Sequence, residues 1–306
     1  MKNNRHDRET ITSLQNPRVK EVTALQSSSS LRREKGLFVV EGLREVERCV
    51  ENGFRLRSIF YCPGICRHLP DSFERSSIFP TPSEGARIFE VSEAVYGKMA
   101  YRGGTEGILA VVYGSAQDRS LEALDLTLFG GSGTKRPDPE YAPLIVVVES
   151  VEKPGNLGAM LRTADASGVS AVLVCDPHTD LYNPNLIRAS LGGVFTRNIA
   201  VCSSEEAIAW LKARGISILT AQLQDSELYY DTDMVRPTAL VFGTEADGLT
   251  DIWRRAADAH IRIPMLGRID SLNVSASMAV LCYEALRQRH TQETHIYIDD
   301  SPPAHT

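Results

Sequence analysis

The sequence predicts an α/β protein whose larger, C-terminal part, residues 143–292, folds around a parallel β-sheet. In that part, short apolar runs rich in Val, Ile and Leu alternate with segments of helical periodicity, the pattern of a sheet covered by helices on both faces. A second, smaller α/β unit is predicted over residues 1–115. With 306 residues and 42% hydrophobic residues, the chain is long and apolar enough for two packed domains.

The smaller unit is predicted to begin with a helix over residues 16–25, because Asn16 can cap a helix and Pro17 suits its first position. The serines at 27–30 indicate a polar spacer, and a second helix over 43–53 ends at Gly53. Apolar runs and helical periodicity predict the remaining elements of this unit: strands at 36–42, 56–62 and 107–114, and a helix at 91–100.

Residues 116–142 are rich in Gly, Pro and charged side chains, which predicts a linker between the two units. The strands of the larger unit are predicted at 143–150, 170–175, 197–202, 217–222, 238–244 and 259–265. Its helices are predicted at 156–167, 184–191, 204–214, 249–256 and 271–289, and residues 293–306 are a tail. In such a sheet a ligand binds beyond the carboxyl ends of the strands.

Composition limits the class of partner and the compartment. The net charge of −6 and the pI of about 5.7 argue against nucleic-acid binding through overall charge. Residues 1–35 nevertheless hold eight Lys and Arg against four acids, which indicates either a solvated terminus or an RNA-facing arm. Cys62, Cys66 and His68 lack the second pair of ligands typical of a zinc site, so no metal is expected. Scattered cysteines and the lack of a signal peptide or membrane-length apolar run predict a cytoplasmic protein.

Two of the three loops at the predicted carboxyl edge begin helices with polar side chains. Within 152–168, Asn156 is placed to cap a helix and Arg162 follows six residues later. Taken alone, this loop is simply a capped helix with an exposed Arg. Within 263–280, Ser271 and Asn273 begin a long apolar helix, and a serine near a helix start is ordinary.

The remaining loop, within 239–250, resembles a phosphate-binding loop only in its glycines. Gly243 and Gly248 can form a tight turn, but Leu249 stands where the phosphate motif requires Lys. Glu245 is a poor neighbour for an anion. Its carboxylate can hold an Arg, balance a cation, or be the acid that a helix dipole favours. The sequence therefore disfavours an NTP-binding protein.

Together the three loops resemble the signature motifs of the SpoU/TrmH family, RNA ribose 2′-O-methyltransferases of the SPOUT superfamily. The matching stretches, in this order, are NLGAMLRTADASG, LVFGTEADGL and IPMLGRIDSLNVS. NPNLIRASLGGVF, at 183–195, is similar to the segment between the first two motifs, and NPRVKEVTAL, FVVEG and GILAVV resemble the family's ribosomal-protein-like RNA-binding domain. The resemblance covers nearly the whole chain apart from the linker and the tail. Lys153 is a departure, since the family often has Asp there.

For the larger domain the resemblance implies a deep trefoil knot, formed by the loops at 219–223, 242–248 and 263–273. The knot holds S-adenosylmethionine (SAM) in a bent form, largely through backbone groups. The positions that match its contacts are Ala221, Gly243, Ile263 and Leu272. Because SAM is a sulfonium cation, its loop needs no Lys and tolerates a carboxylate.

The family's catalytic residues fall on Asn156, Arg162, Glu245, Ser271 and Asn273. Arg162 matches the residue that is often described, in this family, as the base for the ribose 2′-hydroxyl. A guanidinium is effectively always protonated, so Arg162 is also suited to binding the target phosphate and orienting the hydroxyl. The sequence leaves both roles open.

The resemblance further implies a homodimer, with the catalytic helix near the partner's SAM site, and an RNA substrate, ribosomal RNA in preference to tRNA. The candidate RNA contacts are Arg18, Lys20, Arg32, Arg33 and Arg44. The alternative is a catalytically idle RNA-binding or ribosome-assembly factor on the same scaffold. Such a factor would be free to lose Asn156, Arg162 or Ser271, and all three are present.

Overall fold

The computed structural model describes residues 9–66, 86–101, 103, 106–114, 119–127, 142–196, 198–244 and 247–292. Within these residues the chain forms one five-stranded and one seven-stranded sheet, each flanked by helices. The predictions for Glu245, for most of the linker and for the tail at 293–306 lie outside the described residues.

The N-terminal domain is built on the five-stranded mixed sheet, in the order β1-β4-β3-β5-β2. Its strands are β1 (Glu9–Ile11), β2 (Leu37–Glu41), β3 (Leu56–Tyr61), β4 (Arg87–Val91) and β5 (Ile108–Tyr113). Its helices are α1 (Pro17–Ser27), α2 (Ser29–Lys35), α3 (Leu43–Glu51) and α4 (Glu93–Met99). Helices α1 and α4 pack on one face of the sheet, and α3 packs on the face turned toward the C-terminal domain.

Local capping accounts for one agreement and one error in this domain, and strands β1 and β4 were not predicted. The Asn16 side chain accepts a hydrogen bond from the Arg18 amide at 2.9 Å, which confirms the predicted start of α1. The polar spacer at 27–30 is wrong, because Ser28 caps a second helix by accepting from the Leu31 amide at 3.2 Å. The helix predicted at 91–100 is shorter, because strand β4 extends to Val91 and pairs with β3.

The C-terminal domain is built on an all-parallel sheet in the order β10-β12-β9-β11-β6-β7-β8. Its strands are β6 (Leu144–Glu149), β7 (Ala171–Cys175), β8 (Ile199–Cys202), β9 (Ser217–Ala221), β10 (Glu227–Leu228), β11 (Thr238–Phe242) and β12 (Ala259–Arg262). Its helices are α5 (Pro154–Ala166), α6 (Pro184–Ala189), α7 (Ser204–Ala213), α8 (Asp251–Ala256) and α9 (Val274–Gln292). The predicted parallel α/β fold is confirmed, and the two-residue strand β10 was not predicted.

Both faces of the parallel sheet are covered, which explains why its central strands read as continuous apolar runs. Alternate residues of β6 enter different cores: Val146 and Val148 pack with α5 and α9, and Ile145 and Val147 pack with α7 and α8. Every residue of β6, β7 and β11 is buried.

The order of strands reverses between β6 and β11. From β6 the chain proceeds outward through β7 and β8, and then crosses to β9 on the other side of β11. The carboxyl ends of neighbouring parallel strands lie at one edge, and the reversal leaves a crevice between the loops that follow β6 and β11. This edge carries Asn156, Ser271 and Asn273, three of the polar residues that the sequence singles out.

The two domains meet through contacts between aromatic rings. Phe38 of the N-terminal domain stacks on Tyr182 of the C-terminal domain, with ring centroids 4.1 Å apart and planes 6° from parallel. Phe54 and Phe195 meet edge to face at 5.3 Å beside this stack. These four rings, the aromatic cluster, belong to one continuous core that includes residues of both domains.

The described part of the predicted linker, residues 119–127, packs on the C-terminal domain. The Arg119 guanidinium donates to the Val194 carbonyl at 2.7 Å, and the Arg119 carbonyl accepts from the Val201 amide at 2.8 Å. Leu121 is buried in the core on the α7–α8 face. This segment is therefore an extension of the domain rather than an exposed loop.

Candidate active site

A cleft of about 710 Å³, the main cleft, opens at the carboxyl edge of the parallel sheet. It is lined by the loops that follow β9, β11 and β12, the three segments predicted to form the cofactor site. The lining brings together the four residues predicted to contact a cofactor: Ala221, Gly243, Ile263 and Leu272. Its charged side chains include Asp247, Asp270, Arg254 and Arg262.

The described residues that follow β11, 243–244 and 247–250, are called the β11 turn; all of them except Thr250 line the main cleft, and backbone contacts hold them in place. The amide and carbonyl of Thr244 bond reciprocally with those of Gly248, at 3.1 and 3.2 Å. Gly248 has φ of +69°, a conformation that favours glycine. A Cβ on Gly243 would overlap the backbone of Gly248 and would lie 2.6 Å from the Leu249 nitrogen. Glycine is therefore required at 243 by close backbone approach.

A smaller cavity of about 130 Å³, the side cavity, adjoins the main cleft at the crevice between β6 and β11. The two share a wall formed by Lys153, Gly243, Thr244 and Val274. Asn156 lines the side cavity and does not line the main cleft. The site thus has two adjacent compartments of unequal size.

Asn156 and Asn273 connect these compartments. The Asn273 amide nitrogen donates to the Asn156 amide oxygen at 3.4 Å, and Asn273 itself lines the main cleft beside Ser271. The predicted helix starts need correction. Helix α5 begins at Pro154 with Lys153 as its cap, so Asn156 lies inside the first turn.

The long helix α9 begins at Val274, three residues later than predicted. Asn273 accepts from the Ser275 amide at 3.1 Å and from its hydroxyl at 2.6 Å, and so takes the capping position. Ser271 lies in the preceding loop. Because Ser271 lies outside the helix, it can line the main cleft.

Arg162 lies apart from both compartments of its own chain. It is exposed on α5, and it lines neither the main cleft nor the side cavity. Burial raises the pKa of Asp165 on the same helix, and the cation that opposes this rise is Arg48. The guanidinium of Arg162 is therefore available to a partner outside the chain.

The candidate RNA contacts have unequal environments. Lys20 and Arg33 are exposed, and Arg44 is exposed beside Glu45, with 2.7 Å between Nη2 and Oε1. Arg18 is partly covered: it pairs with Glu9 at 3.0 Å and lies over the Phe89 ring.

Arg32 must be withdrawn from the candidate RNA contacts. It is 5% exposed, donates from Nε to Asp180 across the domain boundary at 2.6 Å, and donates from Nη1 to the Leu25 carbonyl. In the sequence Arg32 stands next to Arg33, and nothing in this pair indicates that Arg32 is buried while Arg33 is exposed. Only the fold shows that Arg32 joins the two domains.

Lys153 was noted in the sequence only as a departure from a family pattern. In the structure it lines both compartments.

In the described part of the chain, no cluster of three or more His, Cys, Asp or Glu could hold a metal ion. Across the same described residues, no helix has both the length and the apolar character needed to span a bilayer.

Comparison with known proteins assigns both domains. A profile of the SpoU rRNA Methylase family matches residues 143–283, and a profile of the MRM3-like substrate binding domain matches residues 16–110. The chain is 31% identical over 242 residues to a 23S rRNA (guanosine-2′-O-)-methyltransferase of Bordetella pertussis, covering 73% of this chain and 92% of the relative.

Two further similarities extend over nearly the whole chain. A 23S rRNA (uridine(2479)-2′-O)-methyltransferase of Streptomyces viridochromogenes is 29% identical over 296 residues, covering 93% of this chain and 94% of the relative. The crystal structure of an AdoMet-bound rRNA methyltransferase from Sinorhizobium meliloti is 29% identical, with a TM-score of 0.75, covering 91% of this chain and 97% of that chain. AdoMet is SAM.

Proposed function

The chain belongs to the SpoU rRNA methylase family, and from this premise we propose that it transfers a methyl group from SAM to a ribose 2′-hydroxyl of ribosomal RNA. The observation that carries this proposal is the pair of adjacent compartments at the carboxyl edge of the parallel sheet. A methyl transfer brings two substrates together, and the two compartments meet at a common wall.

The main cleft fits SAM. A glycine that no larger residue can replace lets the backbone of the β11 turn approach a ligand, and the lining combines that backbone with aliphatic side chains and both carboxylates and guanidinium groups. A zwitterionic amino acid, a sulfonium and an apolar ring system need this mixture. When bound, SAM supplies an electrophilic methyl group. The contacts of Ala221, Gly243, Ile263 and Leu272 with it are part of the proposal.

The side cavity fits the acceptor. In a direct displacement the attacking oxygen lies in line with the methyl group and the leaving sulfur, so its compartment must adjoin that of the cofactor. Asn156 and Asn273 stand at the junction, and we assign them to orienting the ribose hydroxyl. Ser271, on the main-cleft side of the junction, completes the polar wall. Glu245 stays a prediction outside the described residues.

Arg162 is proposed to act on the partner's site in a homodimer. Its exposure, and the fact that it lines neither compartment of its own chain, support this role. A permanently charged guanidinium suits a bidentate grip on the target phosphate rather than proton removal. Leu266, Ile269 and Tyr283, which are 97%, 69% and 52% exposed, offer apolar surface to a second copy.

The dimer proposal has a decisive test by complementation. At a SAM concentration far below the wild-type Kd, Arg162→Ala and Gly243→Ala proteins are each expected to lose activity by about tenfold or more, and they are mixed under exchange of subunits. If Arg162 serves the partner, half of the dimers are mixed and each has one complete site, so about a quarter of wild-type activity returns. If Arg162 serves its own chain, mixing restores nothing.

The activity is tested with labelled SAM and unmodified 23S rRNA, 16S rRNA and tRNA, followed by alkaline hydrolysis. Hydrolysis-resistant linkages in rRNA establish 2′-O-methylation and locate the nucleotide. The named relatives act on a guanosine and on a uridine, so the base is an outcome of this mapping. SAM binding without transfer to any RNA would favour an idle assembly factor. A cytoplasmic location and independence from metal remain predictions.

A further inference from the structure

A carboxylate lies buried behind the β11 turn. Glu149 ends strand β6 and is 2% exposed. Among the described residues, no Lys or Arg forms an ion pair with it. A buried carboxylate is costly unless hydrogen-bond donors replace water. The donors around Glu149 therefore indicate what it is there to hold.

One pair of donors comes from the end of the β11 turn. The Thr250 amide donates to Oε2 of Glu149 at 2.9 Å, and the Thr250 hydroxyl donates to Oε1 at 2.6 Å. Thr250 directly follows Leu249, and both Leu249 and Gly248 before it line the main cleft. A carboxylate that grips both donors of one residue fixes the position of that residue and the path of the turn before it.

The other arm of the carboxylate leads away from the cleft. The Ser204 hydroxyl lies 3.3 Å from Oε1 of Glu149 but 2.7 Å from Asp176, and it accepts from the Trp253 indole at 3.0 Å. This arm ties the starts of α7 and α8 to the sheet. The Thr250 and Ser204 hydroxyls both donate to Oε1, but the Thr250 contact lies on the cofactor side, whereas the nearer partner of Ser204 is Asp176, on the packing side.

We propose that Glu149 is a positioning residue for cofactor binding: through Thr250 it holds the β11 turn in the shape that accepts SAM. The inference rests on the proposed function of the main cleft. Glu149 does not line that cleft, so it acts through the backbone of the turn. An ionised carboxylate is an acceptor only, which matches two donors from Thr250, whereas an amide would present its own NH₂ group to one of them.

The test compares the two arms in the full-length protein. SAM affinity is measured by titration calorimetry and thermal stability by the melting temperature, for wild type, Glu149→Gln, Thr250→Val, Thr250→Ser and Ser204→Ala. Losing a hydrogen bond to a charged group at the turn is expected to weaken SAM binding about tenfold in Glu149→Gln and Thr250→Val. Thr250→Ser keeps the hydroxyl and should stay within about twofold of wild type.

Ser204→Ala is the matched control for a purely structural role. It is expected to lower the melting temperature while leaving SAM affinity unchanged. The proposal is overturned if Thr250→Val lowers the melting temperature but binds SAM as wild type does, or if Ser204→Ala weakens SAM binding equally. A wild type that binds SAM but methylates no RNA contradicts the proposed function and leaves this test intact. A wild type that binds no SAM overturns both.

Discussion

The main cleft and the domain boundary both join residues far apart in sequence, but they do so with opposite chemistry. The cleft is lined by backbone, small residues and polar side chains at the ends of strands. The boundary is closed by the aromatic cluster and by the buried Arg32–Asp180 pair, whose side chains are 4% and 17% exposed. The polar groups of the cleft are open to ligands, whereas the polar groups of the boundary are paired with each other.

This difference explains why two arginines of similar sequence context have different fates. Arg162 lies in helix α5 and is exposed. Arg32 lies in the shorter helix α2 and is buried. The chemistry of the side chain is the same. What surrounds it decides whether it can act on a substrate or serves only to hold two domains in place.

The largest effect is expected at Arg162. Arg162→Ala should lower methyl transfer by at least about 100-fold, because an ordered cationic contact to the reacting nucleotide is lost. SAM affinity should stay within about twofold, since Arg162 lines neither compartment of its own chain. Single-turnover transfer and calorimetry measure the two quantities. A loss of SAM binding in this variant would contradict the separation of Arg162 from the main cleft.

At the boundary the effect should fall on stability. Arg32→Ala leaves the partly buried Asp180 carboxylate without its cationic partner, and losing a hydrogen bond between charged groups destabilises a protein by about 1.5–3 kcal/mol. Chemical denaturation measures this loss. Arg33→Ala, at the adjacent exposed position, serves as the control and should change stability by less than about 0.5 kcal/mol. Equal losses in the two variants would show that the boundary does not depend on the pair.

In the cleft, Gly243→Ala should weaken SAM binding roughly tenfold or more, because its Cβ overlaps the backbone of the β11 turn and the turn must shift. The matched control is Gly267→Ala in the loop after β12. A Cβ there meets nothing within 4 Å, and its φ is not positive. Unchanged binding in Gly243→Ala would remove the close backbone approach as a determinant of the cleft.

The smallest effects are expected on the N-terminal surface. Lys20→Ala and Arg33→Ala should each weaken RNA binding modestly and reduce the slope of log affinity against log salt by about 0.7–0.9, the value for one phosphate contact. Filter binding at several salt concentrations measures the slope. A slope equal to that of wild type would remove the residue from the RNA surface and place the contacts elsewhere in the domain.

The parallel sheet and the position of the site were predictable from particular residues. Strands such as Leu144–Glu149 read as uninterrupted apolar runs because both sheet faces are covered. Gly243, Gly248 and Asn273 stand at strand ends and helix starts, where local geometry and motif order identify them. The SpoU family resemblance is confirmed by the profile that matches residues 143–283. The knot remains a prediction of that resemblance.

Short-range signals also set the limits of what the sequence determined. It determined most of the strands and helices, but not β1, β4, β10 or α2, because apolar periodicity, caps and glycine turns act between neighbouring residues. Only the tertiary structure decided that Arg32 is buried, that Asn156 meets Asn273, that Glu149 holds Thr250 and that Arg162 lines neither compartment of its own chain. Burial and pairing between distant residues depend on how helices and sheets pack, and no local pattern encodes that packing.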